Sequence, residues 1–487
     1  MSHPLSKWSV IALFGLALMA CVNRSSAQAT NTPNPTPNPL SVGEVLNSVT
    51  NQYPPMLAAL IERDVAAGRL RSAQGGFDFQ LFSKLFGTPS GYYESATFDS
   101  GFEQFTGIWG STVFGGYRLT RGDVLPDYDK DRTERGGEGR IGLRLPLLRD
   151  GSIDRRRAAI YKATLDQELA NPAIQRQQLD FIRAATVAYY NWLGTGIRLQ
   201  LAEEILRVAR ERTQALTNQA ASGLIPRIVL TDNERLIVAR SLGVVQARRR
   251  FESSAIALSL FYRGSEDEPK LAPRERLPSN FPSQPTLEPG IHPLELELAL
   301  QRRPEIRRLK LSIEKIQVDL KLARNQRLPN FDAGVLVTDN FGNQPYKDRA
   351  QTELEAGVEL KMPLQRRDAK GRIAEFEGQI LQLQNQEQFA RERIRTEIQD
   401  ARSAIFAALD QSQQATLNVS LARELQSAET ERFLKGATDL LALQIREQAA
   451  FEAELTAVDA SLEYFRAQAD LDAATAASAP TAMQKAR

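Results

Sequence analysis

The hydrophobic pattern of this chain changes period twice, in the same way each time. "EGRIGLRLPLLRDGSIDRR" (138–156) alternates apolar and polar residues, reaches Pro146 and runs into a long charged stretch. "EAGVELKMPLQRRDAKGR" (355–372) repeats the pattern through Pro363. A period of two predicts strands with one apolar and one polar face. In the first, Ile141, Leu143 and Leu145 oppose Arg140, Gly142 and Arg144. In the second, Ala356, Val358, Leu360 and Met362 oppose Glu355, Gly357, Glu359 and Lys361. Each has an upstream partner. In 331–338, Phe331, Ala333, Val335 and Val337 share a side; in 111–120, Val113, Tyr117 and Leu119 oppose Arg118. Polar loops at about 121–137 and 339–352 would close two hairpins. The reading is four strands, two in each half.

Beyond each proline the apolar spacing lengthens to steps of three and four. Leu179, Ile182, Thr186, Tyr189 and Leu193 follow it, as do Ile373, Phe376, Ile380 and Leu383. This spacing predicts coiled-coil helices over about 152–222 and 368–435, each roughly 100 Å long. "GSID" offers an N-cap to the first. Gly223 in "ASGLIP" and Gly436 in "LKGATD" reverse the chain, and helices return over about 227–263 and 440–475. Pro226 suits the first turn of the returning helix. Aligning Pro55 with Pro304, Pro146 with Pro363 and Gly223 with Gly436 preserves one order of features. The chain therefore reads as a duplicated unit, 41–263 and 292–475, across a proline-rich linker at 264–291, with a flexible tail at 476–487. The first copy carries an aromatic, glycine-rich insertion at 77–107, which would add either strands or a plug; the pattern does not say which.

Composition narrows the chemistry. With 61 basic and 59 acidic residues the net charge is +2, which suggests no nucleic-acid partner. Two histidines (His3, His292) and one cysteine (Cys21) leave almost no ligands for a metal and no triad; no phosphate loop occurs, so we expect neither enzyme nor cofactor. Lys7 and the apolar run 8–20 read as a secretory signal within 1–29, too short to span a bilayer. "LMAC" (18–21) would acylate Cys21, whereas "AQA" (27–29) would release a chain starting at Thr30. A Pro/Asn linker (30–40) follows.

No later stretch reads as a transmembrane helix, so an exported chain of this kind crosses a membrane only as a closed β-barrel. Ile141, Leu143, Leu145, Val358 and Leu360 would then face lipid, and Arg140, Arg144, Glu359 and Lys361 the lumen. Four strands cannot close a barrel, but three copies would make a twelve-strand one. The alternative is a soluble sheet packed on the helices, in a non-channel periplasmic coiled-coil lipoprotein or an efflux adaptor.

The chain resembles the TolC-like outer-membrane efflux proteins. The resemblance lies in "RRPEI" (302–306), "LPNF" (328–331), "LRLPLLRD" (143–150), "LKMPLQRRD" (360–368) and the glycine turns, and covers about 41–475. It implies a mixed α and transmembrane-β fold: a homotrimer whose twelve-strand barrel lies in the bacterial outer membrane above a periplasmic α-helical tunnel. It also implies a passive export duct of a tripartite efflux or secretion system, whose partners are a periplasmic adaptor and an inner-membrane pump. The adaptor would dock at the tip, at Gly223, Leu224, Pro226, Gly436 and Ala437. Where the family carries acidic aperture residues beyond the second turn, this chain has Ala442 and Ile445, so that gate is not carried over.

Overall fold

The computed structural model describes residues 38–122, 132–264, 266–284, 293–342 and 352–477. The signal segment with Cys21, His292 and residues 478–487 lie outside them. Two short helices, α1 (Val42–Gln52) and α2 (Pro54–Gln74), lead into strands β1 (Gln80–Thr88), β2 (Ser95–Phe105), β3 (Thr112–Gly122) and β4 (Glu138–Pro146). The long hairpin α3 (Arg155–Ala221) and α4 (Ile228–Ser259) follows. The second half repeats the order with α5 (Pro293–Arg302), α6 (Pro304–Gln326), β5 (Asn330–Asn340), β6 (Glu353–Lys361), α7 (Arg367–Leu434) and α8 (Leu440–Thr475). From Pro39 onward these elements form one unit. α3 packs on both α6 and α8, so neither half folds as a separate domain.

α3 has 67 residues and runs unbroken through Pro172, which at about 1.5 Å per residue makes it roughly 100 Å long. Its cap is Asp154, the last residue of "GSID": the carboxylate accepts from the N–H groups of Arg156 (2.7 Å) and Arg157 (3.0 Å). Pro54, rather than Pro55, is the counterpart of Pro304; each opens its helix where a missing N–H costs nothing.

The sheet departs from the expectation of four strands. It has six, antiparallel, in the order β1-β2-β3-β4-β5-β6. The two additional strands, β1 and β2, come from the 77–107 insertion: β1 pairs along its whole length with β2, and β2 along its whole length with β3.

The proline-rich segment is also more than a linker. Its described part, 266–284, lies against the helices of both halves. Phe281 stacks on Phe465 (5.7 Å between ring centres), Gln284 donates to Ser412 Oγ (2.9 Å), and the Arg276 carbonyl accepts from Leu40 N–H (2.8 Å). Beneath this strap is the main core. Fully buried Trp192, Leu193 and Tyr464 meet a stacked Tyr190–Phe465 pair at 4.2 Å, and Tyr189 donates to the Leu40 carbonyl (2.7 Å).

Candidate functional site

The register assigns every strand residue to a face, because residues directly opposite in an antiparallel pair share one. Leu143 pairs with Val113 and Val335; Ile141 pairs with Gly115 and Val337. Leu145 pairs with Ala333, which pairs in turn with Val358; Phe331 pairs with Leu360. The five residues expected to meet lipid therefore lie on one face. That face continues into the insertion through Phe98, Phe102, Leu81 and Leu85. Among the described residues no helix covers it: Leu81 is 79% exposed, Val358 71% and Ile141 55%.

The opposite face holds Arg140, Arg144, Glu359 and Lys361, as expected, and Arg118 with them. Glu359 and Lys361 pair with each other. Sequence reasoning missed the counter-ion of the arginines. Asp99, on the inserted strand β2, accepts from Arg140 (2.5 Å) and Arg118 (3.1 Å), joining three strands. Arg144 instead lies over the Phe114 ring at 5.8 Å.

All helices attach at one end of the sheet, below β1, β4, β5 and β6. At that end Arg144, Asp150, Asp154, Arg155, Arg156 and Asp332 are among the residues lining an open cavity of about 400 Å³. Burial raises the Asp150 carboxyl pKa above its usual range, partly opposed by Arg149. The Arg156 guanidinium sits over the Phe105 ring, 3.3 Å from its centre, joining the helix start to the inserted strand.

At the far end of the helices the two turns have the same geometry. Gly223 and Gly436 have φ of 74° and 70°. In each, the next residue donates back across the helix end: Leu224 N–H to Gln219 O and Ala437 N–H to Arg432 O, both 2.9 Å. A Cβ at either glycine would meet nothing within 4 Å, so the positive φ alone explains the residue type. Pro226 precedes α4 rather than entering it, and its carbonyl accepts from Val229 N–H (3.1 Å). Leu224, Ala437 and Ile445 are exposed and Ala442 is half-buried.

Two buried ion networks join the halves. On α8, Glu447 accepts from Arg212 of α3 and from Arg240 of α4 (3.0 Å). Arg240 also donates to the Ile205 carbonyl (2.9 Å); burial lowers its pKa, and Glu447 opposes that shift. Arg303, of "RRPEI", is nearly buried between Glu397 of α7, Glu305 (3.3 Å) and the Ala473 carbonyl of α8 (3.1 Å). That motif therefore pins α6 to α7 and α8.

Among the described residues no group of three or more His, Cys, Asp or Glu is placed to hold a metal, and no helix is long and apolar enough to cross a membrane. No family model matches the sequence, and no curated protein matches it. Solved structures do. The outer membrane channel MtrE of Neisseria gonorrhoeae, in its open state, is 15% identical with a TM-score of 0.64 over 89% of this chain and 88% of that one. The Campylobacter jejuni outer membrane channel CmeC is 14% identical with a TM-score of 0.61 over 89% and 85%. The Vibrio cholerae outer membrane protein VceC is 16% identical with a TM-score of 0.61 over 89% and 95%. At such identities the likeness establishes the fold.

Proposed function

We propose that this chain, which has the fold of outer-membrane channels, is itself the outer-membrane subunit of a tripartite efflux or secretion system. Three copies would close one barrel, and the long helices would form a tunnel beneath it in the periplasm. The observation that carries the reading is the uncovered apolar face of the sheet, set back to back with a face of charges. A soluble sheet buries its apolar face against other elements; this one leaves Leu81, Ile141 and Val358 bare. That counts against the coiled-coil lipoprotein and the adaptor. The duct would be passive, consistent with a chain that carries no phosphate loop. Acylation at Cys21 would add an anchor that the barrel does not require.

The full-length protein is expected to fractionate with outer membranes and to migrate as a trimer in mild detergent. A water-soluble monomer obtained without detergent, after removal of residues 1–29, would refute the reading.

The tip turns lie about 100 Å of helix away from the sheet, so they are where a partner rooted in the inner membrane would reach the channel. Leu224 is 75% exposed and supports no core, so Leu224→Arg should leave the trimer intact. Export, and cross-linking of the adaptor to the tip, should both fall at least tenfold. Full export by an assembled Leu224→Arg trimer would show that the turns are only helix ends.

A further inference from the structure

Among the described residues the six-strand sheet has two open edges, the outer sides of β1 and β6. Their backbone N–H and C=O groups point along the sheet with no strand beyond them, an arrangement that hydrocarbon does not tolerate. We propose that the inserted hairpin is part of the membrane wall, that β6 of one copy pairs with β1 of the next, and that three copies close an eighteen-strand barrel. This inference rests on the channel reading above.

Geometry favours that occupant. The strands are antiparallel throughout, so β1 and β6 run in opposite directions and close the ring without a parallel pair. Each has nine residues. The polar face of the β6 edge carries Glu353, Glu355, Glu359 and Lys361, whereas that of β1 carries Lys84 and no acid. The edges are therefore complementary in charge.

The insertion is also built for a bilayer. Tyr92 and Tyr93 stand at its outer turn, and Ile108 and Trp109 at the turn on the helix side. Between them run the 11 residues of β2, which at the usual rise and tilt span about 25 Å. Asp99 makes the hairpin integral to the lumen face, since without β2 the side chains of Arg118 and Arg140 would lose the carboxylate they share.

Electron cryomicroscopy of the detergent-extracted full-length trimer tests this directly. Eighteen strands around the ring, with β1 beside the neighbour's β6, are expected. A closed ring of twelve, with β1 and β2 outside it, would overturn the inference and leave the channel reading intact; no closed ring would overturn both. Cross-linking gives a second readout in a Cys21→Ser background. Lys84→Cys combined with Glu355→Cys or Glu359→Cys should give disulfide-linked trimers. Cross-linking between Thr120→Cys and Glu353→Cys instead would place β3 at the boundary and count against eighteen.

Discussion

Glu447→Gln is expected to loosen the helical hairpins far more than any other single charge removal in the chain. The glutamate is 3% exposed and carries the only negative charge in contact with Arg212 and Arg240 among the described residues. Glutamine keeps the shape, so no cavity forms. What it leaves is two guanidinium groups buried without a counter-ion, a situation that costs about 3–5 kcal/mol. The triad lies on the tip side of the helices, where the buried Asn233 of α4, donating to the Ala209 carbonyl (3.4 Å) and to Thr213 Oγ1 (3.1 Å), ties α4 to α3 but leaves α8 to Glu447. The cost should therefore appear as local opening. Amide exchange in the tip half of α4 and α8 should accelerate by roughly two to three and a half orders of magnitude, while the Trp192 core keeps its protection. The control is Glu431→Gln, which breaks an exposed pair with Lys435 and should cost at most about 1 kcal/mol. A triple change of Arg212, Arg240 and Glu447 to Met, Met and Leu should recover most of the protection, because an apolar set of similar volume is often as stable as a buried ion network. If Glu447→Gln exchanges no faster than Glu431→Gln, the triad is not what holds the hairpins together.

How much of this was legible in the sequence depends on the kind of signal. Helices and their turns were readable because period and glycine are local: α3, α4, α7 and α8 start and stop within a few residues of the pattern. So were β3 to β6, whose apolar face is interrupted by charge only toward the outer strand ends, at Arg121 and Asp339. The hairpin β1–β2 was not, because its faces are mixed. Phe82 and Phe86 stand on the charged face and Ser83 and Ser100 on the apolar one, which dilutes the alternation. The packing of the proline-rich strap was hidden for a different reason. Prolines rule out regular structure but say nothing about packing, and Phe281 finds Phe465 across a long gap in sequence. The ion triad left one faint trace. Glu447 interrupts a buried stripe of Leu440, Leu443, Ala450 and Ala453, and Arg240 sits in step with Val244, Phe251 and Ala255. A charge in the apolar register of a helix is the mark of a buried network, although its partners lie on other helices and are visible only in the fold.

Leu143→Arg is expected to be the most damaging change in the sheet, and its dependence on depth separates membrane from water. Leu143 lies near the middle of β4, with Val113 and Val335 on either side, and it is exposed. In a soluble protein an exposed position accepts arginine almost freely, within about 0.5 kcal/mol. Facing the bilayer midplane, the same arginine costs about 2–4 kcal/mol, falling to about 0–1 kcal/mol near either interface. Arginine should therefore cost most at Leu143 and clearly less at Leu145, one step nearer the helix side. On the other face, Arg144→Gln is one residue away in sequence but lies on the charged side of the sheet, which the barrel reading turns toward the lumen. It should leave folding unchanged and shift the ion selectivity of the channel toward cations. The measurement is a urea titration of refolding into lipid vesicles for each variant, with planar-bilayer recordings for Arg144→Gln. At Leu143 the midplane cost corresponds to a loss of roughly thirtyfold to nearly a thousandfold in the folding equilibrium of each chain. Equal losses at Leu143, Leu145 and Arg144 would mean that both faces of β4 sit in one medium, and the barrel would have to be given up.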